Sequence, residues 1–137
     1  MNRKRIEQMI PIAMDLLKEN NPKILNDDGK LPSNYAGYVS SYDPTIRQSG
    51  LLQAVAFYEK EKREDINSLL ALVLTKAGYL ENTSLKKLVY IVKEASSDYA
   101  QKMKLQRLIL EAIFACKLAM MTFPKTKEED KEQGVKS

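Results

Sequence analysis

The stretch Leu105-Gln106-Arg107-Leu108-Ile109-Leu110-Glu111-Ala112-Ile113-Phe114-Ala115-Cys116-Lys117-Leu118-Ala119 decides the fold of this 137-residue chain. At about 100° per residue, Leu105, Leu108, Ile109, Ala112, Cys116, Ala119 and Phe123 share one stripe about 100° wide, as on a helix with a buried face. Leu110, Ile113, Phe114, Leu118, Met120 and Met121 fall outside that stripe. Either this is the central helix of a bundle, or it offers a second apolar strip to a partner. Met103, Met120 and Met121 suit the second use, because methionine adapts to irregular contacts. Ser96 or Ser97 is the expected cap, and Pro124 forbids continuation beyond about Phe123.

Working outward, the same spacing recurs. Ile6, Met9, Ile10, Ala13, Met14 and Leu17 predict a first helix, with a kink or late start at Pro11 and an end at Asn20-Asn21-Pro22. A loop follows over residues 23–32. Ser33 caps a short helix through Ser41, and Asp43-Pro44 starts a new element running to Gly50. Leu51 to Tyr58 is apolar on nearly all sides except Gln53, which predicts a central buried helix. Asp65 caps a helix with Ile66, Leu69, Leu70, Val73, Leu74 and Ala77 inward, stopped at Gly78. Thr83 or Ser84 caps a short helix burying Leu85, Leu88, Val89 and Val92. The expected fold is therefore all-α: a compact single-domain bundle of about five to six helices over residues 1–123, with a long C-terminal helix. Residues 124–137, charged and without apolar period, read as a mobile tail.

What the chain lacks narrows its chemistry. It contains no histidine and one cysteine, so histidine-based nucleophile activation and the common zinc sites have no residues to use. Cys116 lies on the apolar stripe and reads as an inert core thiol, consistent with a reducing cytoplasm. Asp27-Asp28 and Glu128-Glu129-Asp130 are carboxylate runs in loops without converging partners, and no glycine-rich phosphate cradle occurs. No catalytic residue, metal site or cofactor is expected. Glu7, Gln8 and Asp15 break up the N-terminal region, so no signal peptide is expected. No apolar run reaches the roughly 20 residues of a membrane span.

The net charge is +4, and its location is informative. Residues 1–83 hold eleven basic and eleven acidic side chains, and residues 123–137 hold four of each. Residues 84–122 carry Lys86, Lys87, Lys93, Lys102, Lys104, Arg107 and Lys117 against Glu94, Asp98 and Glu111, which accounts for the whole excess. Lys86 and Lys93 share a face with Lys87 beside them, Lys104 and Arg107 lie three apart on the next helix, and Lys102 and Lys117 project to another side of it. This predicts two shallow basic patches, read either as a solvated surface or as a phosphate-facing one. Tyr90 and Tyr99 are candidates to stack on bases, or else half-buried packing residues.

The segment Ile46-Arg47-Gln48-Ser49-Gly50-Leu51-Leu52-Gln53-Ala54-Val55-Ala56-Phe57 resembles the signature of the small subunit of the CRISPR Cmr complex, the RNA-guided type III-B effector, in which it is counted fifth. Tyr38, Tyr42, Pro44, Arg47, Gly50, Leu51, Gln53, Ala54 and Phe57 stand in the corresponding places. Ser97-Asp98-Tyr99 before a long helix resembles the family's C-terminal end, where Lys117 alone matches a Trp-Leu-Lys-Arg run. The resemblance implies an all-helical, non-catalytic subunit in antiviral defence. Its partners would be the repeated backbone subunit, further copies of itself, and guide and target RNA, with no membrane. Arg47, Lys86, Lys87, Lys104, Arg107 and Lys117 are the RNA-binding candidates. Pro44, Gly50, Leu51, Gln53 and Phe57 are expected to maintain the fold. Gly50 would permit a close helix approach or a bend, and Gln53, the one polar side chain in a buried helix, would need a backbone or side-chain partner. Two other classes stay open: a helix-turn-helix DNA-binding regulator built from residues 66–77 and 84–95, and a pure protein-interaction bundle.

Overall fold

The computed structural model describes residues 1–81 and 87–126. Six helices form among them: α1 (Arg3–Glu19), α2 (Ser33–Ser49), α3 (Leu51–Phe57), α4 (Glu64–Lys76), α5 (Leu88–Ala95) and α6 (Tyr99–Met120). Among the described residues the only strand-like pairing is an isolated bridge between Leu31 and Lys125. In it the Leu31 amide donates to the Pro124 carbonyl at 2.7 Å, and the Thr126 amide donates to the Leu31 carbonyl at 3.0 Å.

α6 is central. It packs on α1, α2, α4 and α5 and buries Leu105, Leu108, Ile109, Ala112, Cys116 and Ala119, the stripe its spacing predicted. Burying each of the larger aliphatic side chains contributes roughly 1.5–3 kcal/mol. Ile113 and Met120, outside that stripe, are buried too, but Phe114 and Met121 remain exposed. The core-facing stripe is thus present, and among the described residues Phe114 and Met121 alone of the six apolar residues outside it are exposed.

Helix ends follow local chemistry. Gly78 adopts φ +89° after α4, and its amide donates to the Thr75 carbonyl at 3.0 Å while that of Tyr79 reaches Leu74 at 2.9 Å. This is a Schellman motif, which satisfies two orphan carbonyls and turns the chain back. Asn20, at φ 59°, closes α1 in the same way through amide bonds from Asn20 to Leu17 and from Asn21 to Leu16. Its side-chain oxygen then accepts from the Ile24 and Leu25 amides, both at 2.8 Å, which orders the following loop.

Several boundaries differ from the sequence reading. α1 starts at Arg3 and runs through Pro11, capped by Asn2, whose side chain accepts from the Arg5 amide. α2 is one helix through Pro44 instead of two elements. A proline inside a helix leaves the carbonyl four residues earlier without its donor. Those residues, Glu7 and Ser40, are exposed, as are Pro11 and Pro44, so water can replace the lost bond. Ser33 is the first residue of α2 and makes no capping bond; Asp43 pairs with Arg47 within the helix instead of capping one. Asp65 lies inside α4 and accepts from the Tyr35 hydroxyl at 2.6 Å. Asp98, not Ser96 or Ser97, caps α6, accepting from the Ala100 and Gln101 amides. The expected cap at Thr83 or Ser84, and Leu85, lie outside the described residues, as do residues 127–137.

α3 is buried on one side only. Leu51, Ala54 and Val55 face inward, whereas Gln53 and Phe57 are exposed. Gln53 is therefore not a buried polar group in need of a partner. Gly50 has φ +96°, so it bends the chain between α2 and α3, and a Cβ there would meet only the tip of the Gln53 side chain, at 2.9 Å.

Candidate nucleic-acid interface

The structure divides the candidate cations among separate surfaces. Lys104 and Arg107 line one cavity of about 430 Å³ with Arg5, Gly78, Tyr79 and Leu108. The Schellman turn at Gly78 directs Tyr79 toward α1, where its hydroxyl donates to Gln8 Oε1 at 2.6 Å. Gln8 Nε2 in turn donates to the Ala77 carbonyl at 3.1 Å, so one wall is pinned by two hydrogen bonds. A second cavity, of about 310 Å³, shares Tyr79, Lys104 and Leu108 and extends to Ile91 and Glu94. The two cavities lie next to each other at these shared residues.

Arg5 contributes shape to this depression more than charge. Its Nε and Nη2 donate to the two carboxylate oxygens of Glu111 at 2.7 and 2.8 Å, and the Asn2 amide donates to the same carboxylate at 2.9 Å. The Glu111 side chain is 0% exposed. Burial alone would raise its pKa, but the Arg5 and Asn2 donors win and hold it below the ordinary value. The same bond raises the pKa of Arg5. The pair is therefore internally neutralised. Lys104 and Arg107 are exposed, and no carboxylate among the described residues pairs with either.

Lys87 sits elsewhere, just before α5 and next to α3, with Nζ 3.9 Å from Glu59 Oε1. Glu59 belongs to a polar chain that the sequence reading did not foresee. The Tyr42 hydroxyl donates to Asn67 Oδ1. Asn67 Nδ2 donates to the Val55 carbonyl at 3.0 Å and to Glu59 Oε2 at 2.8 Å. Tyr42 stacks on Tyr58 with ring centroids 3.8 Å apart, and burial raises the pKa of both phenols. Lys86 lies outside the described residues. Arg47 is held by Asp43 and shares a groove between α2 and α6 with Lys117. Among the described residues the basic candidates therefore form no single track.

Tyr90 is 54% and Tyr99 76% exposed, so neither is the half-buried packing residue that was the alternative reading. Phe57 is also exposed, with Lys60 Nζ 4.2 Å from its ring centroid. Cys116 is fully buried, and burial pushes its thiol pKa up to about 12, which leaves it unreactive at neutral pH. Among the described residues no cluster of three metal-ligating side chains occurs, and no helix is long and apolar enough to cross a membrane. The helix-turn-helix reading gains no support: α4 and α5 are separated by residues 77–87, far beyond a three- or four-residue turn, and α5 turns Leu88 and Val92 inward.

These features define an all-α bundle whose candidate contacts are open surface depressions with cations along them. Comparison with protein-family models specifies the class further: the model for CRISPR-associated protein (Cas_Cmr5) matches residues 13–119. The chain belongs to this family of small subunits of the type III-B Cmr complex. Searches of curated proteins and of solved structures found no match.

Proposed function

We propose that this chain is a non-catalytic assembly subunit of a Cmr effector. It stacks along the repeated backbone subunit with further copies of itself, and it helps line the groove that holds guide RNA and target RNA. It works in the cytoplasm, where those RNAs meet. Family membership supports the place in the complex. The RNA contact rests chiefly on one observation: Lys104 and Arg107 line one depression without a carboxylate partner among the described residues, while Arg5 beside them is already neutralised by Glu111. Two exposed cations on a rigid, central helix suit phosphate contact without sequence readout.

The test is salt dependence. Binding of a single-stranded RNA of about 20 nucleotides is measured by fluorescence anisotropy from 50 to 200 mM salt. Each phosphate contact contributes about 0.7 to the log–log slope on a single strand, so Lys104→Ala with Arg107→Ala should flatten it by about 1.4. An unchanged slope in a variant with an unchanged circular dichroism spectrum would refute the assignment of these residues.

A further inference from the structure

The start of α2 is short of hydrogen-bond partners. Its cap position is Pro32, which makes no side-chain capping bond, and its first turn holds no acidic residue. Among the described residues no acceptor takes the Ser33 or Asn34 amide, the usual fate of the first amides of an uncapped helix. Three buried side-chain polar atoms also lack a partner among the described residues, and all three lie here: Ser33 Oγ, Asn34 Oδ1 and Thr126 Oγ1. Thr126 is brought to this place by its amide, which donates to the Leu31 carbonyl at 3.0 Å, two residues before Ser33. Pro32 and Asn34 also line a cavity of about 730 Å³, with Lys23, Asp27, Asp28 and Lys62 around it. Lys23 lies 3.7 Å from Asp27, and Asp28 accepts from the Lys30 amide at 3.3 Å. No described carboxylate pairs with Lys62.

The lacking partners are of two kinds. The two amides and the Ser33 and Thr126 hydroxyls call for acceptors, and the positive end of α2 favours an anionic one. Asn34 Oδ1 can only accept, so it calls for a donor. A phosphodiester offers acceptors alone, whereas a peptide bearing carboxylates offers both. We propose that Lys127-Glu128-Glu129-Asp130, the residues that follow Thr126, fold back as a strap over the start of α2. A carboxylate of the acidic run caps the Ser33 and Asn34 amides, a strap amide donates to Asn34 Oδ1, and the remaining charge of the run meets Lys62. The reach is sufficient: the chain spans at most about 7 Å from Thr126 to Glu128 and about 14 Å to Asp130. Thr126 is itself tied beside α2, so the contact is intramolecular, and that tether favours it over the same segment of a second copy. The strap would fasten the loop over residues 23–32 and the start of α2 to the end of α6.

The test uses the full chain. Equal amounts of isotope-labelled and unlabelled protein are mixed at low micromolar concentration and treated with a carbodiimide, which joins a carboxylate to an amine in contact with it. Mass spectrometry should find Glu128, Glu129 or Asp130 joined to Lys62 within one chain. Links that mix the labels give the segment to a second copy and overturn the proposal, as does the lack of any link from the run to Lys62. A second measurement uses the variant Glu128→Gln, Glu129→Gln, Asp130→Asn, which keeps the length of the chain. Hydrogen exchange of the Ser33 and Asn34 amides, read by nuclear magnetic resonance, should be about fivefold faster in it. Its Tm should be lower by about 3–5 °C in low salt, and by less in high salt. Exchange at the wild-type rate with an unchanged Tm also overturns the strap.

Discussion

Replacing Arg5 by alanine removes the two guanidinium bonds to Glu111 and leaves that carboxylate with the Asn2 amide alone. The carboxylate is on α6, the central helix, and its side chain has no solvent exposure. Stripping a buried charge of its partner costs about 3–5 kcal/mol. The Arg5 side chain is 29% exposed, so its removal also opens a path for water, which screens the orphaned charge. We therefore expect a loss of about 2–3 kcal/mol, or a Tm lower by roughly 7–12 °C for a chain of this size. Circular dichroism melts at pH 7 measure it. The pH dependence has a definite sign. Glu111 ionises below its ordinary value of 4.5 when folded, so the pair's contribution is present above that value and is lost as pH falls through the folded pKa. The difference between wild type and Arg5→Ala should thus narrow as pH is lowered below 4.5. Equal Tm values at pH 7, or a difference that does not change in acid, would refute the role given to this pair.

Asn67→Ala should cost about 2 kcal/mol in urea denaturation, because Tyr42, Val55 and Glu59 all lose a buried partner. A double-mutant cycle with Tyr42→Phe should show coupling, and strict additivity would contradict the network. Gly50→Ala should cost about 1–2 kcal/mol through its positive φ, and Gln53→Ala should not rescue it, since the side-chain tip that a Cβ would meet can move aside. Full rescue by Gln53→Ala would assign the strain to the contact instead of the backbone.

The helical periods were plain in the sequence, because the apolar residues of α1, α4 and α6 recur at the spacing of a buried face. Proline misled the reading of α2. Asp43-Pro44 has the composition of a helix start, but Pro44 faces solvent, so the helix continues at little cost. The polar interior was harder to see. Asn67 sits within the apolar stripe of α4 and Glu111 within the most apolar stretch of the chain, and each was a signal of a buried polar group. Their partners, Tyr42 and Arg5, are 25 and 106 residues away, a pairing that local spacing does not encode. The charge count placed the basic excess in residues 84–122, and helical spacing put Lys117 on another side of the last helix from Lys104 and Arg107, as the two cavities have it. The spacing did not say which neighbours line each side, because that depends on which helix packs there.

The role proposed for Lys104 and Arg107 is to face RNA inside an assembled Cmr effector. Its most direct test is target-RNA capture by the reconstituted, guide-loaded complex carrying Lys104→Ala and Arg107→Ala in every copy of this chain, at about 150 mM salt. Capture should weaken by about tenfold or more, with subunit composition unchanged. Capture at the wild-type level by a complex of normal composition would contradict it.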